Sequence, residues 1–291
     1  MIINRHIILL LLICIAIGGN AKKKQKYPHA DIKVSYLCHE DHLKTDAKAY
    51  TEEYQMILLA NSSSSKFYNL QAEYIDSLHT SSSGKAIYRE IIGNMAKKYA
   101  ENGVFDDSAL PKCRMYVFKS RNDSILSFYD RNGSSHEHFY TEPLDEIEWE
   151  IGDSTKSILG YECIMAETDF HRRHWTAWFA PEIPVQDGPW KLCGLPGMIL
   201  EAKDSSGQHS FTADGIEMTD IEIKPVYNEK NYEKVSRLAM LAAQRKFLLQ
   251  GDSMSRMLIQ NTPDGSKIEM PESQYNANPD LHIDFLETDY H

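Results

Sequence analysis

KLCGLPGMILEAKD, residues 191–204, sets a demanding piece of chain geometry in front of an apolar run. Leu195-Pro196-Gly197-Met198 has the residue order of a type II turn, with proline second and glycine third, where φ is positive. Gly194 permits a tight backbone approach just before it. Met198-Ile199-Leu200 then has the look of a strand buried on both faces. A phosphate-binding loop wants several glycines opening a helix. Here the turn launches a strand, so the stretch points to a β-rich chain and away from a nucleotide cradle.

The flanks extend that pattern. Residues 158–166 and 171–179 read as two arms of a hairpin turning at Glu167-Thr168-Asp169. Residues 198–202 and 209–211 form a further pair about Asp204-Ser205-Ser206-Gly207, and 221–227 reads as one more strand. Nearer the start, 31–38 alternates with Ile32, Val34 and Tyr36 on one face, and 55–60 and 66–70 flank Asn61 and four serines. Pieces at 113–119, 124–129 and 137–140 are punctuated by Arg121-Asn122-Asp123 and Arg131-Asn132-Gly133. A last alternation covers 281–286. Two segments have helical spacing. In 84–102, Ile87, Ile91, Met95 and Tyr99 recur every four residues, and Gly103 ends the run. In 232–250, Val235, Leu238, Leu241, Ala242 and Leu248 make the apolar side, with Gly251 beyond. The expected fold is α+β and mainly antiparallel β: a curved sheet or half-barrel of consecutive hairpins with two accessory helices.

Arg5, the unbroken apolar run 7–17 and the small residues Gly19-Asn20-Ala21 predict a secretory signal peptide over 1–21. Eleven apolar residues are too few for a spanning helix, which needs about 20. Cys14 follows Ile13, where a lipid-modified cysteine follows a small residue. The mature chain, 22–291, reads as a single domain without another span of membrane length. Its formal charge moves from −11 to −12 with the loss of Arg5, and Lys22, Lys23 and Lys24 are a short basic start. Such acidity argues against nucleic acid or an anionic membrane surface as partner.

Several fragments mimic known chemistry. Cys38-His39-Glu40-Asp41-His42 collects a thiol and two imidazoles, but its histidines are three apart after a strand, whereas H-E-x-x-H needs them on one helix face. His136-Glu137-His138 puts two histidines on one strand face with no third ligand in sight. Gly251-Asp252-Ser253-Met254 is similar to an esterase nucleophile block, yet it follows a helix and reads as a helix stop. No G-x-S-x-G elbow occurs, and no catalytic residue, cofactor or metal is predicted. His171-Arg172-Arg173-His174 is the densest cationic group. On one strand Arg172 and His174 face one way, His171, Arg173 and Trp175 the other. It reads as a solvated hairpin arm, with an anion or carboxylate site as the alternative.

The aromatic signal is concentrated. All four tryptophans lie from Trp149 to Trp190, and Pro181, Pro184, Pro189 and Pro196 stiffen the same neighbourhood. Trp175, Trp178, Phe179 and Trp190 are therefore the candidate wall of an apolar ligand pocket, or else core filling. Cys38, Cys113, Cys163 and Cys193 are an even set in an exported chain and predict disulfides, with Cys38–Cys113 and Cys163–Cys193 the preferred pairing among three and free buried thiols the alternative.

Gly194 to Ile199, GLPGMI, resembles the signature of the GLPGLI family, with Met198 in place of the usual leucine, a volume-conserving swap. Also similar to the family pattern are Ile158-Leu159-Gly160-Tyr161-Glu162-Cys163, WTAWF from Trp175, Pro181-Glu182-Ile183-Pro184, Gly188-Pro189-Trp190, Ser65-Lys66-Phe67-Tyr68 and Glu142-Pro143-Leu144. The resemblance implies an exported protein, periplasmic, outer-membrane-associated or extracellular. It implies genomic association with TonB-dependent receptors in some members, and no established activity. The hairpins and helix also resemble the curved half-barrel of lipoprotein carriers, although fold does not determine function. The expected function is non-catalytic binding of an apolar ligand or an envelope protein. The alternative is a hydrolase or peptidase accessory with a folded-together His/acid or metal site using His171 and His174.

Overall fold

Short alternating runs joined by turn residues build one sheet. The computed structural model describes residues 27–42, 50–103, 106–130, 137–144, 147–249 and 286–289. The expected signal peptide, Arg131-Asn132-Gly133, His136, the Gly251-Asp252-Ser253-Met254 block and nearly all of 281–286 lie outside them. The strands are β1 Ile32–His42, β2 Tyr50–Ala60, β3 Ser64–Tyr68, β4 Tyr116–Ser120, β5 Ile125–Asp130 and β6 Glu137–Pro143. They continue as β7 Glu150–Ile158, β8 Tyr161–Phe170, β9 Arg173–Ala180, β10 Met198–Asp204, β11 His209–Met218 and β12 Tyr232–Lys234. Helices α1 Leu70–Leu78 and α2 Ser82–Asn102 lie between β3 and β4, and α3 Arg237–Leu249 follows β12.

Among the described residues these twelve strands form one open, curved sheet in the order β12-β6-β5-β4-β3-β2-β1-β11-β10-β9-β8-β7. Two antiparallel meanders, β1 to β6 and β7 to β11, meet where β1 pairs with β11. Only β12 is parallel to its neighbour, β6. The expected mainly antiparallel, hairpin-built α+β fold is what forms.

Alternation sorts the side chains onto two faces. Ile32, Val34, Tyr36 and Cys38 of β1, Met56 and Leu58 of β2 and Phe67 of β3 enter the large inner core. Ile57 and Leu59 face the other way, against Ala72 of α1 and Ile223, Val226 and Tyr232. The run at 56–60 is apolar without a break because both its faces are covered. Each such side chain contributes roughly 1.5–3 kcal/mol when fully buried.

Tertiary contacts overrode several local readings. The β8–β9 turn lies at His171-Arg172, not at 167–169; Phe170 pairs with Arg173, and both turn residues have positive φ, 52° and 61°. That is a type I′ geometry without its usual Asn-Gly signal. Thr168 stays in the ladder, buried, its hydroxyl donating to Glu148 O at 2.6 Å. Helix α1 went unpredicted; Asn69 caps it, its side chain accepting the Ala72 N–H at 2.9 Å. Helix α2 forms as expected up to Gly103, but only Met95 of its predicted stripe is buried, because the helix lies against α1. Residues 232–234 join the sheet as β12, so α3 starts later, at a Ser236 whose Oγ accepts the Ala239 N–H. Among its described side chains Met240 and Leu241 are buried and Leu238 is 53% exposed, while Leu248 of the predicted stripe lies outside the described side chains. Residues 221–227 are not a strand; Ile223 N–H donates to Pro28 O and His29 bridges Glu222.

Candidate functional site

The connection between β9 and β10, residues 181–197, lies across the inner face of the sheet. Its φ-restricted prolines make it stiff, and Ile183, Trp190, Leu192 and Leu195 are buried in the inner core. The GLPG turn differs from its predicted form. Positive φ falls on Gly194 (93°), not on Gly197. The Gly197 N–H donates to Leu195 O at 2.8 Å, a three-residue turn centred on Pro196. Gly197 is needed for close approach: a Cβ there would lie 2.3 Å from Ala180 O and 2.9 Å from Pro181 Cα. The two glycines have exchanged the roles that sequence order suggested.

Two buried lysines fix this plug. Lys119 of β4 is wholly buried and donates to Asp187 Oδ1 (2.6 Å), Gly188 O (2.9 Å) and Leu192 O (3.1 Å). Three acceptors satisfy the three ammonium donors. Arg121 completes the pair, donating to Asp187 Oδ2 and Gln186 O, both at 2.7 Å. Burial alone raises an aspartate, but the two cations outweigh it and hold Asp187 below the usual carboxylate range.

Lys191 points to the other side of the plug. Its neighbour Trp190 has φ 51°, a left-handed conformation costing a bulky residue about 1–2 kcal/mol. Lys191 Nζ is 5.1 Å from the Tyr140 ring centroid and 5.8 Å from that of Phe128. It pairs with Glu142 of β6 (2.5 Å) and with Glu287 (2.8 Å). Arg237 of α3 donates to Glu287 Oε2 (2.5 Å) and takes both oxygens of Asp289 (2.7 and 3.0 Å). His171 Nδ1 lies 3.0 Å from Asp289 Oδ2, and Tyr140 OH donates to Glu287 at 3.3 Å. Burial pushes Glu287 up, yet Lys191, His171 and Arg237 prevail and hold it low. Asp289 is likewise lowered by Arg237 and His171 against its partial burial. Lys191, Arg237 and the His171 ring thus face three carboxylates, Glu142, Glu287 and Asp289.

The predicted aromatic wall is only partly assembled. Trp175, Phe179 and Trp190 are buried together in the inner core, with Trp175 5.8 Å from Trp190 and 6.0 Å from Phe211, centroid to centroid. They fill it. Trp178 takes the opposite face of β9, half-buried, with Lys156 Nζ 4.3 Å from its ring centroid.

The cationic group His171-Arg172-Arg173-His174 is dispersed by the turn. Arg172 is exposed, Arg173 is buried against Asp204 (2.7 Å), and exposed His174 meets Asp169 (2.9 Å). His171 and His174 hold different carboxylates. His171, Glu287 and Asp289 offer donor atoms within 4.8 Å of one another, the set among the described residues with metal-ligand chemistry. Arg237 already occupies both acids. His39 lies on β1 beside Asp41 and Glu53.

The expected disulfides do not form: Cys38, Cys113, Cys163 and Cys193 are all thiols. Burial raises the Cys38, Cys113 and Cys163 thiols, so the attacking thiolate is scarce. Cys193 sits inside the plug, its carbonyl accepting the Trp149 Nε1–H at 2.9 Å.

Sequence reasoning missed Lys119, Asp187, Lys191, Arg237 and the acids that meet them. Lysine and aspartate inside a Trp-Pro loop are the available signal, since buried charge is rare unless paired. Glu287 and Asp289 carry no local signal.

Comparisons with known proteins extend over the same region. A model described as "Protein of unknown function (Porph_ging)" matches residues 167–201, the end of β8 through the plug into β10. No curated protein matches the chain. Among solved structures, PNGF-II is similar at a TM-score of 0.47 and 14% identity over 74% of this chain, which spans 33% of PNGF-II. A LolA superfamily protein from Nitrosomonas europaea is similar at 0.25 and 8% identity, covering 67% of this chain and 89% of that one. A putative outer membrane lipoprotein-sorting protein domain from Vibrio parahaemolyticus is similar at 0.20 and 6%, covering 65% and 85%.

Proposed function

We propose that the chain is an exported member of the GLPGLI family that acts in the cell envelope by binding, not by turnover. Its ligand is a protein partner or a molecule with an apolar body; a TonB-dependent receptor is the partner class that the family resemblance suggests. One observation carries the reading. General acid–base catalysis needs groups tuned toward the working pH, whereas the described groups around the plug are moved away from neutrality; Lys66 and His174, which move toward it, are tied to Glu73 and to Asp169 outside the inner core. Asp187, Glu287 and Asp289 are held low, and the buried thiols and Tyr140 are held high. Closed ion pairs of this kind fix shape and recognise charge. Export is supported by the charged start, apolar run and small residues of 1–21.

The test is crosslinking of the mature protein in intact envelopes, with native mass spectrometry and lipid extraction of the purified chain. A stoichiometric partner or ligand is expected. Finding neither overturns the proposal.

A second reading, a metal-assisted hydrolase, draws on the donor set of His171, Glu287 and Asp289. Metal analysis separates the two. Stoichiometric zinc or iron that is lost in His171→Ala would favour the enzyme, and a metal-free protein retaining its partner would favour binding.

A further inference from the structure

Residues 286–289 read Leu-Glu-Thr-Asp and dock as a peptide ligand docks. In extended chain, residues two apart face the same way. Glu287 and Asp289 both meet cations, while the Thr288 N–H between them donates to His171 O at 3.2 Å. The Thr288 hydroxyl reaches the same carbonyl at 3.3 Å, and Leu286 packs against the inner core. An apolar anchor, two carboxylates and a main-chain hydrogen bond are the usual elements of extended-peptide recognition.

The receiving side is formed by distant elements: Lys191 from the plug, Arg237 from α3 and His171 from the β8–β9 turn. Of the acids around them only Glu142 belongs to the sheet. Without 286–289, a wholly buried Lys191 and the Arg237 fork share one carboxylate, an uncompensated positive site in a low-dielectric setting. Arg forks suit carboxylates in particular, because both oxygens can be taken at once. The Glu287 side chain is 4% exposed while that of Asp289 is 24% exposed, so the Asp289 end of the site is the one open to solvent.

We propose that Lys191, Arg237 and His171 form a recognition site for an extended acidic peptide of pattern Leu-Glu-x-Asp, occupied in cis by residues 286–289 and open to the same pattern on a protein partner. The inference rests on the binding function proposed above and names its partner class. An intramolecular occupant competes at an effective concentration on the order of 1 mM. If cis and trans segments each bind with a constant of about 10 μM, the cis segment masks the site about a hundredfold.

The experiment uses the full chain carrying Glu287→Gln and Asp289→Asn, with a fluorescein-labelled peptide of sequence DFLETDYH as probe. Fluorescence anisotropy is expected to show the double variant binding the peptide at least tenfold more tightly than the wild-type chain. A DFLQTNYH peptide is expected to bind neither, and Arg237→Ala added to the double variant is expected to abolish binding. A double variant that retains the wild-type circular dichroism but binds no better than wild type overturns the proposal and leaves 286–289 as a structural clasp. Should the double variant not fold, Asp289→Asn alone keeps the Glu287–Lys191 pair, and a gain of about threefold is expected; no gain overturns the proposal equally. Peptide failure with an envelope partner still crosslinked removes only this site. Peptide binding with no crosslinked partner sustains the site and removes the envelope role.

Discussion

The two buried lysines of the inner face occupy opposite kinds of site. Lys119 belongs to the sheet and reaches into the plug, where Asp187 and two carbonyls close around it; lysine and aspartate are both 0% exposed. Lys191 belongs to the plug and reaches toward α3, where its acids come from β6 and from a segment far along the chain. The first site is a rivet made from neighbours that the fold already holds together. The second is a socket whose contents were brought to it. Similar charges inside one core thus serve shape in one place and recognition in the other.

Lys119→Met should have the largest effect, since it leaves Asp187 in the core with Arg121 as its one remaining cation and the Gly188 N–H as a further donor. Removing one partner of a buried pair costs about 3–5 kcal/mol. Urea denaturation measures it, and a loss below 1 kcal/mol would end the distinction between rivet and socket. Gly197→Ala comes next. The added methyl meets the Ala180 and Pro181 backbone, so the plug must lift, at about 1–3 kcal/mol. Because both lysines depend on the plug, a change in amide exchange at both sites is expected.

Acid should distinguish the two sites further. Asp187, Glu287 and Asp289 titrate lower in the fold than in the unfolded chain, so their stabilisation is complete above the ordinary values of about 4. It is lost as pH falls through the depressed folded values. The contribution of these three carboxylates is therefore expected to be flat from pH 7 to about 5 and to fall below about 4. The chain with Glu287→Gln and Asp289→Asn should lose part of that acid dependence and retain the Asp187 part. Asp289→Asn alone is the smallest change. The residue is partly exposed and Arg237 keeps Glu287, so about 1 kcal/mol or less is expected by thermal melting.

The legibility of the molecule divides along similar lines. β1, the β10–β11 hairpin and α2 were readable because their signals, period-2 alternation, turn residues and a terminal glycine, are confined to a few neighbouring residues. The β8–β9 turn was misplaced by three residues. His171 and Arg172 accept positive φ where the ladder around Thr168 and the Asp289 contact are already set. The tryptophans were visible as a cluster, and alternation by itself sends Trp175 and Trp178 to opposite faces of β9; which of those faces the plug would cover depended on the tertiary structure. Lys191 and Asp187 stood in plain view inside the stiff loop, as charges in an apolar setting, without any indication of what they would meet.

By itself, then, the sequence determined a β-rich chain of consecutive hairpins, a stiff Pro-Gly-Trp connection before a buried strand, and an acidic surface that disfavours nucleic acid. Those properties follow from local sterics, periodicity and net charge. Tertiary structure alone decided that Gly197 serves contact while Gly194 takes the positive φ, that the four cysteines remain thiols, and that Glu287 and Asp289 meet Lys191, Arg237 and His171. The physical reason is that an ion pair acquires most of its consequence on leaving water. Which charges leave water together depends on chain segments that share no neighbourhood until the sheet has curved around them.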